Sequence, residues 1–596
     1  MASTVAPSTG AATALVPARS GAPPGVPADS TAAALDATVE RLAGRAGAWF
    51  ALPVREKLRY VRAAMAGTRR VAAAQVRAAC AAKGHAFDGP LAAEDWFGGP
   101  VATLRGLRLL AGTLDGLAAA GEAGWAGAMR DRVRTRRRAD GRCVVEVLPA
   151  GWRDRLLFPG VRGEVWLPPG VDETRLAAQA AALYGPDPRG RGLAPGVAVV
   201  LGAGNVAGIG PLDVVHKLFA EGQVAVLKFN PVNAYLGPFF EQAFADLIRD
   251  GYAAAAYGGA DVGGHLTAHP RVASVHITGS RASHDAIVWG TGEDGERRRA
   301  AGRPRLAKPI TSELGNVTPV IVVPGRWSAR DLRMQAEHVA TQMTQNAGFN
   351  CIAAKVVVVH DAWPQRAAFL DALRRVLGAL PARPAYYPGA ADRWARFTAA
   401  HPGHEAFGTA AAGTLPPTLL PDLDPGNRSA LAFREESFCA VAGVTALPGR
   451  DAADFLARAV AFANDALEGT LGACVLVDGR TARALGPALD RAVADLRYGT
   501  VGVNVWPGMA FALGATPWGA YPGHTLADVG SGVGTVHDPF LMGPTEKSVV
   551  WGPFGQLTRP PAFVTHPGGH RVGEALVDVE AGGGLGAVLR VVRAAL

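Results

Sequence analysis

A chain of 596 residues is too long for one simple core and suits two or three domains, with 49% hydrophobic residues available for burial. No apolar run reaches membrane-spanning length without Gly, Pro or a charge interrupting it, so a soluble cytoplasmic protein with no membrane partner is expected. The net charge of +9 is carried mostly by Arg in an Ala-, Gly- and Pro-rich chain, which fits genome composition as readily as a polyanionic partner.

Five cysteines (Cys80, Cys143, Cys351, Cys439, Cys474) are widely spaced and form no CxxC or Cys/His pattern, which favours a reducing compartment and predicts no metal site. Residues 1–34 read as a disordered Ala/Pro-rich tail without the apolar core of a signal peptide. Helical spacing then follows, with Leu35, Val39 and Leu42 and again Leu58, Val61 and Met65 recurring three and four residues apart. More helix is expected over 104–117. The charge run 130–138 has two readings, a phosphate-binding patch or a solvated surface hairpin or loop. The absence of interleaved aromatics favours the second.

An apolar strand over 196–201 runs into a small-residue turn at 202–208, then a helix, then a strand over 224–227 ending at Lys228. Strand, turn, helix and strand in so short a stretch is one unit of a parallel sheet. A helix over 238–250 and a strand over 272–277 closing on Thr278-Gly279-Ser280 repeat the alternation, predicting a doubly wound, dinucleotide-type domain. The turn fits GxGxxA, so a phosphate loop is one reading. Lys228 stands where the usual ribose-binding acid would end the next strand, which favours a second reading in which Asn205 carries the function. Residues 290–305 read as a polar surface insertion. A second α/β section follows, with a strand over 320–323, a helix over 331–344, a loop holding Cys351, a strand over 355–359 and a helix over 364–380. Residues 381–427 look loop-like, a late strand ends at Asn504, and a tail beyond Phe540 finishes in a short amphipathic helix over 585–596.

The chemistry concentrates in two stretches. Glu313 ends a short apolar segment, and Cys351 follows on a loop of small residues. A thiolate is a strong nucleophile toward a carbonyl carbon even at a few per cent of the thiol. A carboxylate partly removed from water can work near neutral pH as a base toward the thiol or toward water.

The ordered motifs resemble the NAD(P)-dependent aldehyde dehydrogenase superfamily. They are Asn205 after Pro195-Gly196-Val197, Lys228, Thr278-Gly279-Ser280, Glu313-Leu314-Gly315 with Pro319, Cys351, Glu436 with Phe438, and Val503-Asn504. The resemblance implies an α/β, aldehyde dehydrogenase-like fold: a Rossmann-type cofactor domain, an α/β catalytic domain and a small oligomerisation element. The division expected is a tail over 1–34, a cofactor domain with N-terminal helices over 35–309, a catalytic domain over 310–500, and return strands, tunnel loop and extension over 501–596. Cys351 would attack an aldehyde, Asn205 and a backbone N–H would hold the oxyanion, and Glu313 would activate water. Lys228, Gly279, Ser280, Glu436 and Phe438 would contact NAD or NADP. Pro231 replaces an acid that would repel a 2′-phosphate, and Arg281 could pair with one. Trp506, Phe511 and Trp518 fall where the family lines its substrate tunnel, favouring a hydrophobic aldehyde. A homodimer or homotetramer is implied.

The context Cys351-Ile352-Ala353-Ala354-Lys355 resembles the CoA-acylating branch, whereas Glu313 resembles the acid-forming one. Acid formation is the preferred reading, because a carboxylate beside a thioester favours water. The alternatives are a CoA-dependent acyl reductase and a non-catalytic basic scaffold or nucleic-acid-binding protein, the latter disfavoured by the joint presence of Asn205, Glu313 and Cys351.

Overall fold

A computed structural model describes residues 25–408, 411–556 and 558–595. The first 24 residues of the expected tail lie outside the described residues. Its last part is tied down: Ser30 exchanges two hydrogen bonds with Tyr257, and the Thr31 side chain caps the helix Ala32–Ala51. That helix buries Leu35, Val39, Leu42 and Trp49 on one stripe. Val54–Lys83 continues the layer and stops at Gly84, whose φ of 80° is a left-handed cap that glycine adopts without strain.

Two sheets organise the rest. The first has six strands in the order Gly532–Val533, Ile310–Glu313, Val272–Thr278, Val197–Leu201, Val224–Lys228, Ala253–Ala256. All pairs are parallel except the first. Both faces are covered at the centre, so Val197–Leu201 is a continuous apolar run rather than an alternating one. Order reverses at Val197–Leu201: the chain builds outward on one side, then returns to the other. A crevice at the carboxyl ends of the strands follows from that reversal.

The second sheet has eleven strands, with a parallel centre made by Lys547–Trp551, Thr500–Val503, Gly472–Leu476, Thr318–Val322, Ala354–His360, Val441–Leu447 and Thr418–Leu423. The two sheets do not divide the chain at one point. Ile310–Glu313 and Gly532–Val533 lie in the first sheet, while Arg134–Arg137, Cys143–Leu148 and Arg162–Trp166 extend the second.

Two expectations need correction. Residues 381–427 are not a loop: they hold the helix Ala390–Ala400 and the strand Thr418–Leu423. Pro421 hid that strand, yet it falls where the register shifts between Leu420 and Leu423, a bulge that needs no ladder bond from it. Residues 290–305 lie largely at the surface, where they carry the helix Gly292–Ala300. The sequence beyond Phe540 is not only a tail. Lys547–Trp551 lies inside the second sheet, between Arg162–Trp166 and Thr500–Val503, and the buried Lys547 ammonium donates to three carbonyls, of Val493, Ala494 and Leu496. Five residues beginning with a lysine carry too little periodicity to announce a central strand.

After it, Gly569–Glu580 and Leu585–Ala595 pack beside the N-terminal helices, where Glu580 joins Asp154 around the buried Arg105 guanidinium. The charge run 130–138 forms an edge hairpin whose arginines have local partners: Arg136 meets Glu164 at 2.7 Å, and Arg138 lies 3.8 Å over the Trp166 ring.

Candidate active site

Parallel pairing fixes where the polar residues emerge. Asn205, Lys228, Gly279 with Ser280, and Glu313 stand at or just beyond the carboxyl ends of four adjacent strands of the first sheet, hence along one edge. Cys351 precedes Ala354–His360, and Glu436 with Phe438 precedes Val441–Leu447; these are the amino ends of neighbouring parallel strands of the second sheet. The site forms where the two edges meet. The Asn205 side-chain amide donates to the Phe349 carbonyl at 3.1 Å, so the crevice loop of one sheet touches the thiol loop of the other.

The thiol loop is held in a conformation that its residues would not choose alone. Asn346, Ala347 and Gly348 all have positive φ, at 53°, 56° and 78°. A Cβ on Gly348 would lie 2.4 Å from the Ala440 nitrogen, so backbone approach as well as φ requires glycine. Asn346 makes the other two tolerable. Its amide donates to the carbonyls of Asn205 (3.0 Å) and Phe349 (3.1 Å), its carbonyl accepts from Lys83 and the Tyr386 hydroxyl (both 2.9 Å), and its backbone N–H donates to Glu94. Burial and Asp95, 2.7 Å from the Lys83 ammonium, set the end of the helix Val54–Lys83 as one wall of this brace. Sequence reading passed over Asn346; an Asn flanked by small residues before a candidate nucleophile was the available signal.

Electrostatics set the chemistry. Burial, then the charges of Glu436 and Glu313, raise the Cys351 thiol well above its ordinary range, with its own backbone N–H and Lys355 opposing. The thiol therefore stays protonated until a base takes its proton. Glu313 is raised well above the ordinary carboxylate range by burial and by the charge of Asp213, the Trp518 indole opposing, and its Oε1 is buried without a hydrogen-bond partner. Glu436, raised by burial to about 7 against the pull of Lys355 and Arg393, also keeps an oxygen unpartnered. Its Oε2 lies 2.1 Å from where a Gly315 Cβ would stand, so Gly315 is glycine to let this carboxylate in. Phe438 packs 4.9 Å from Tyr387 and 6.0 Å from Phe349, next to the thiol loop.

On the crevice edge, the Lys228 ammonium has no hydrogen-bond or ion-pair partner among the described residues, and burial lowers its pKa against Asp261 and Asp29. Ser280 caps the helix Arg281–Val288 by accepting from the Ser283 N–H at 3.1 Å. A free cation and a helix N-terminus at a topological switch point fit the ribose and phosphates of a dinucleotide. Arg281 meets Glu468 at 2.8 Å through one terminal nitrogen, and its buried Nε has no hydrogen-bond partner among the described residues. Of the aromatics, Trp506 donates to the Ile352 carbonyl at 2.9 Å beside the thiol loop, and Phe511 and Trp518 pack edge to face at 5.9 Å. Asn504 turns away and exchanges two hydrogen bonds with Val477.

Comparison with known proteins agrees with this geometry. Residues 195–385, which carry Asn205, Lys228, Ser280, Glu313 and Cys351, match the model of the Aldehyde dehydrogenase family. That stretch, about a third of the chain, is similar to the family. An aminoacetaldehyde dehydrogenase of Pseudomonas aeruginosa is 27% identical over 310 residues, which cover 49% of this chain and 54% of that protein; the match thus spans about half of the relative's length. Among solved structures, a Mycobacterium tuberculosis aldehyde dehydrogenase complexed with NAD+ aligns over 92% of this chain and 96% of its own, with a TM-score of 0.58 and 20% identity. An NADP-dependent glyceraldehyde-3-phosphate dehydrogenase from Bacillus halodurans complexed with NADP aligns over 87% and 91%, with a TM-score of 0.56 and 16% identity. At these identities the structural likeness establishes the aldehyde dehydrogenase-like fold.

Proposed function

We propose that the protein oxidises an aldehyde to a carboxylic acid with NAD or NADP, through covalent intermediates on Cys351. The observation that carries this reading is the buried Glu313 carboxylate, whose Oε1 has no hydrogen-bond partner among the described residues and whose charge reaches the thiol loop. A base of raised pKa is what activation of a thiol or a water near neutral pH requires. Cys351 attacks the aldehyde carbon once its proton has been removed, giving a thiohemiacetal. The Asn205 amide and the Cys351 backbone N–H hold the oxygen, a contribution of about 10²–10³ in rate for one such donor. A dinucleotide held by Lys228, Gly279, Ser280 and Glu436 would supply the hydride acceptor. Glu313 then takes a proton from water, which attacks the thioester and frees Cys351.

Lys228, Gly279, Ser280 and Glu436 bind and orient the dinucleotide in this reading, and Phe438 supports Glu436 from the thiol-loop side. Trp506 and its aromatic neighbours suit a hydrophobic aldehyde. The protein would act in the cytoplasm as a homodimer or homotetramer, with light scattering as the check. Arg136, Arg137 and Arg138 are engaged by Glu164, Asp172, Asp140 and the Trp166 ring, which supports a structural role over nucleic-acid binding.

The decisive experiment follows nucleotide reduction with a panel of aldehydes, each nucleotide, and CoA present or absent, for wild type and Cys351→Ala. Acid formed without CoA, and lost in the variant, is the expected result. Turnover that requires CoA would transfer the reading to the acylating branch, and no turnover with any combination would sink it.

A further inference from the structure

An outer helix reaches the reaction centre from behind the thiol loop. The helix Val54–Lys83 belongs to the N-terminal layer and contributes to neither sheet. Its last residue nevertheless ends against the loop, where the Lys83 ammonium donates to the Asn346 side-chain carbonyl at 2.9 Å. The same ammonium donates to Asp95 at 2.7 Å; Asp95 is buried and the Lys83 side chain is 11% exposed. Asp95 is held on its other oxygen by His85, whose Nε2 is 2.9 Å away. Cys80, His85 and Asp95 are near enough to one another to hold a metal ion, but the ammonium already takes one oxygen of the single carboxylate among them. The group is therefore a closed ion-pair cluster.

What Lys83 does to Asn346 follows from the electronics of an amide. Two donors, the ammonium and the Tyr386 hydroxyl, meet its carbonyl oxygen, each at 2.9 Å. A charged donor on that oxygen polarises the amide and makes the N–H groups on its nitrogen stronger donors. Those N–H groups go to the carbonyls of Asn205 at 3.0 Å and Phe349 at 3.1 Å. The Phe349 carbonyl also accepts from the Asn205 side-chain amide at 3.1 Å. Asn346 thus grips Asn205 by its backbone and shares the acceptor that fixes its side chain. Burial alone would drive the proton from Lys83; Asp95 outweighs it, and the ammonium keeps its charge.

We propose that Lys83 is a positioning residue: acting through Asn346, it sets the direction in which the Asn205 amide meets the oxygen of the substrate carbonyl. The inference rests on the reaction proposed above. Asp95 and His85 hold Lys83 in place, and no bond to substrate is made at any of the three. Oxyanion donors act only when they are fixed before the charge develops, and a misplacement of about 1 Å can cost about 10²-fold in rate. The loop has a second anchor that does not pass through Lys83. The Asn346 backbone N–H donates at 2.9 Å to Glu94, which is itself paired with Arg383. Loss of Lys83 therefore turns the amide and leaves the loop pinned.

The test isolates acylation with p-nitrophenyl acetate, an ester that acylates a reactive thiol without nucleotide. With enzyme in excess, the single-turnover release of nitrophenol reports acylation of Cys351. With ester in excess, the same release is an initial burst before a steady phase set by deacylation. Asn205→Ala should slow the single turnover by about 10²–10³-fold. Lys83→Met should slow it roughly 10- to 100-fold, and in a chain already carrying Asn205→Ala it should slow it no further. Lys83→Met combined with Asp95→Asn strands no buried carboxylate and should match Lys83→Met. Tyr386→Phe, a milder change at the same oxygen, should slow the turnover roughly threefold. Equal slowing by Lys83→Met in both backgrounds would overturn the proposal, because a general loosening of the fold adds to the loss of Asn205 instead of depending on it. So would a wild-type rate in Lys83→Met or in the paired variant. A wild-type rate in Asn205→Ala would remove the oxyanion role from the proposed reaction, and this inference with it. Release that survives Cys351→Ala would defeat the thiol reading itself.

Discussion

The thiol loop and the groups that face it differ in how their polar groups are satisfied. Around it, among the described residues, Lys228 on the carboxyl edge of the six-stranded sheet has no partner, and Glu313 and Glu436 each leave an oxygen bare. In the loop itself, Asn346 uses its amide, its carbonyl and its backbone N–H to fix one short segment. A buried polar atom without a partner costs stability and persists where chemistry needs it; a saturated one marks scaffolding. The nucleophile is thus positioned by a rigid frame, while the groups facing it are left free to act.

Substitutions in the loop and around it should separate these roles. Cys351→Ala should lower turnover on the order of 10⁴-fold or more with the melting temperature unchanged, measured by nucleotide absorbance and calorimetry. Glu313→Gln should keep the acylation burst and slow deacylation by about 10²–10⁴-fold. Because burial and Asp213 raise Glu313, and only its ionised form is a base, the wild-type rate of deacylation should climb with pH above the ordinary carboxylate range; a profile flat from pH 5 to about 9 would contradict this. Gly348→Ala should act through the frame, costing roughly 1–3 kcal/mol for the positive φ alone, and lower both the melting temperature and the burst amplitude. Ser280→Ala removes a single cap and should cost about 1 kcal/mol, with nucleotide affinity changing more than the maximal rate. If Gly348→Ala left the burst intact, the contrast between frame and free groups would fail.

Most of the α/β alternation was legible because strands buried on both faces read as continuous apolar runs, as Val197–Leu201 and Ala354–His360 do. The candidate residues were legible as ordered motifs at strand ends. What escaped was long-range. Nothing local in Leu-Asp-Val-Val-His announces that Asp213 will face Glu313 and His537, because that meeting depends on three elements far apart in the chain. Asn346 was visible as a letter, but its five contacts come from four separate segments. Thr418–Leu423 and Lys547–Trp551 were hidden by a proline and by brevity.

The place of Lys547–Trp551 in the second sheet has a consequence for how the protein is made. Arg162–Trp166 pairs on one side with Cys143–Leu148 and on the other with this late strand, so the early strands wait for almost the whole chain before they join the sheet. At about 5–20 residues per second, that interval on the ribosome is roughly 20 to 80 s. During it the three-stranded piece presents open edges to every neighbouring nascent chain. Arg134–Arg137 forms its outer strand, and a row of like charges is an effective guard against pairing with a copy of itself. The densest charge run in the sequence thus guards an edge that stays at the rim of the finished sheet, while the opposite edge is closed only when Lys547–Trp551 arrives.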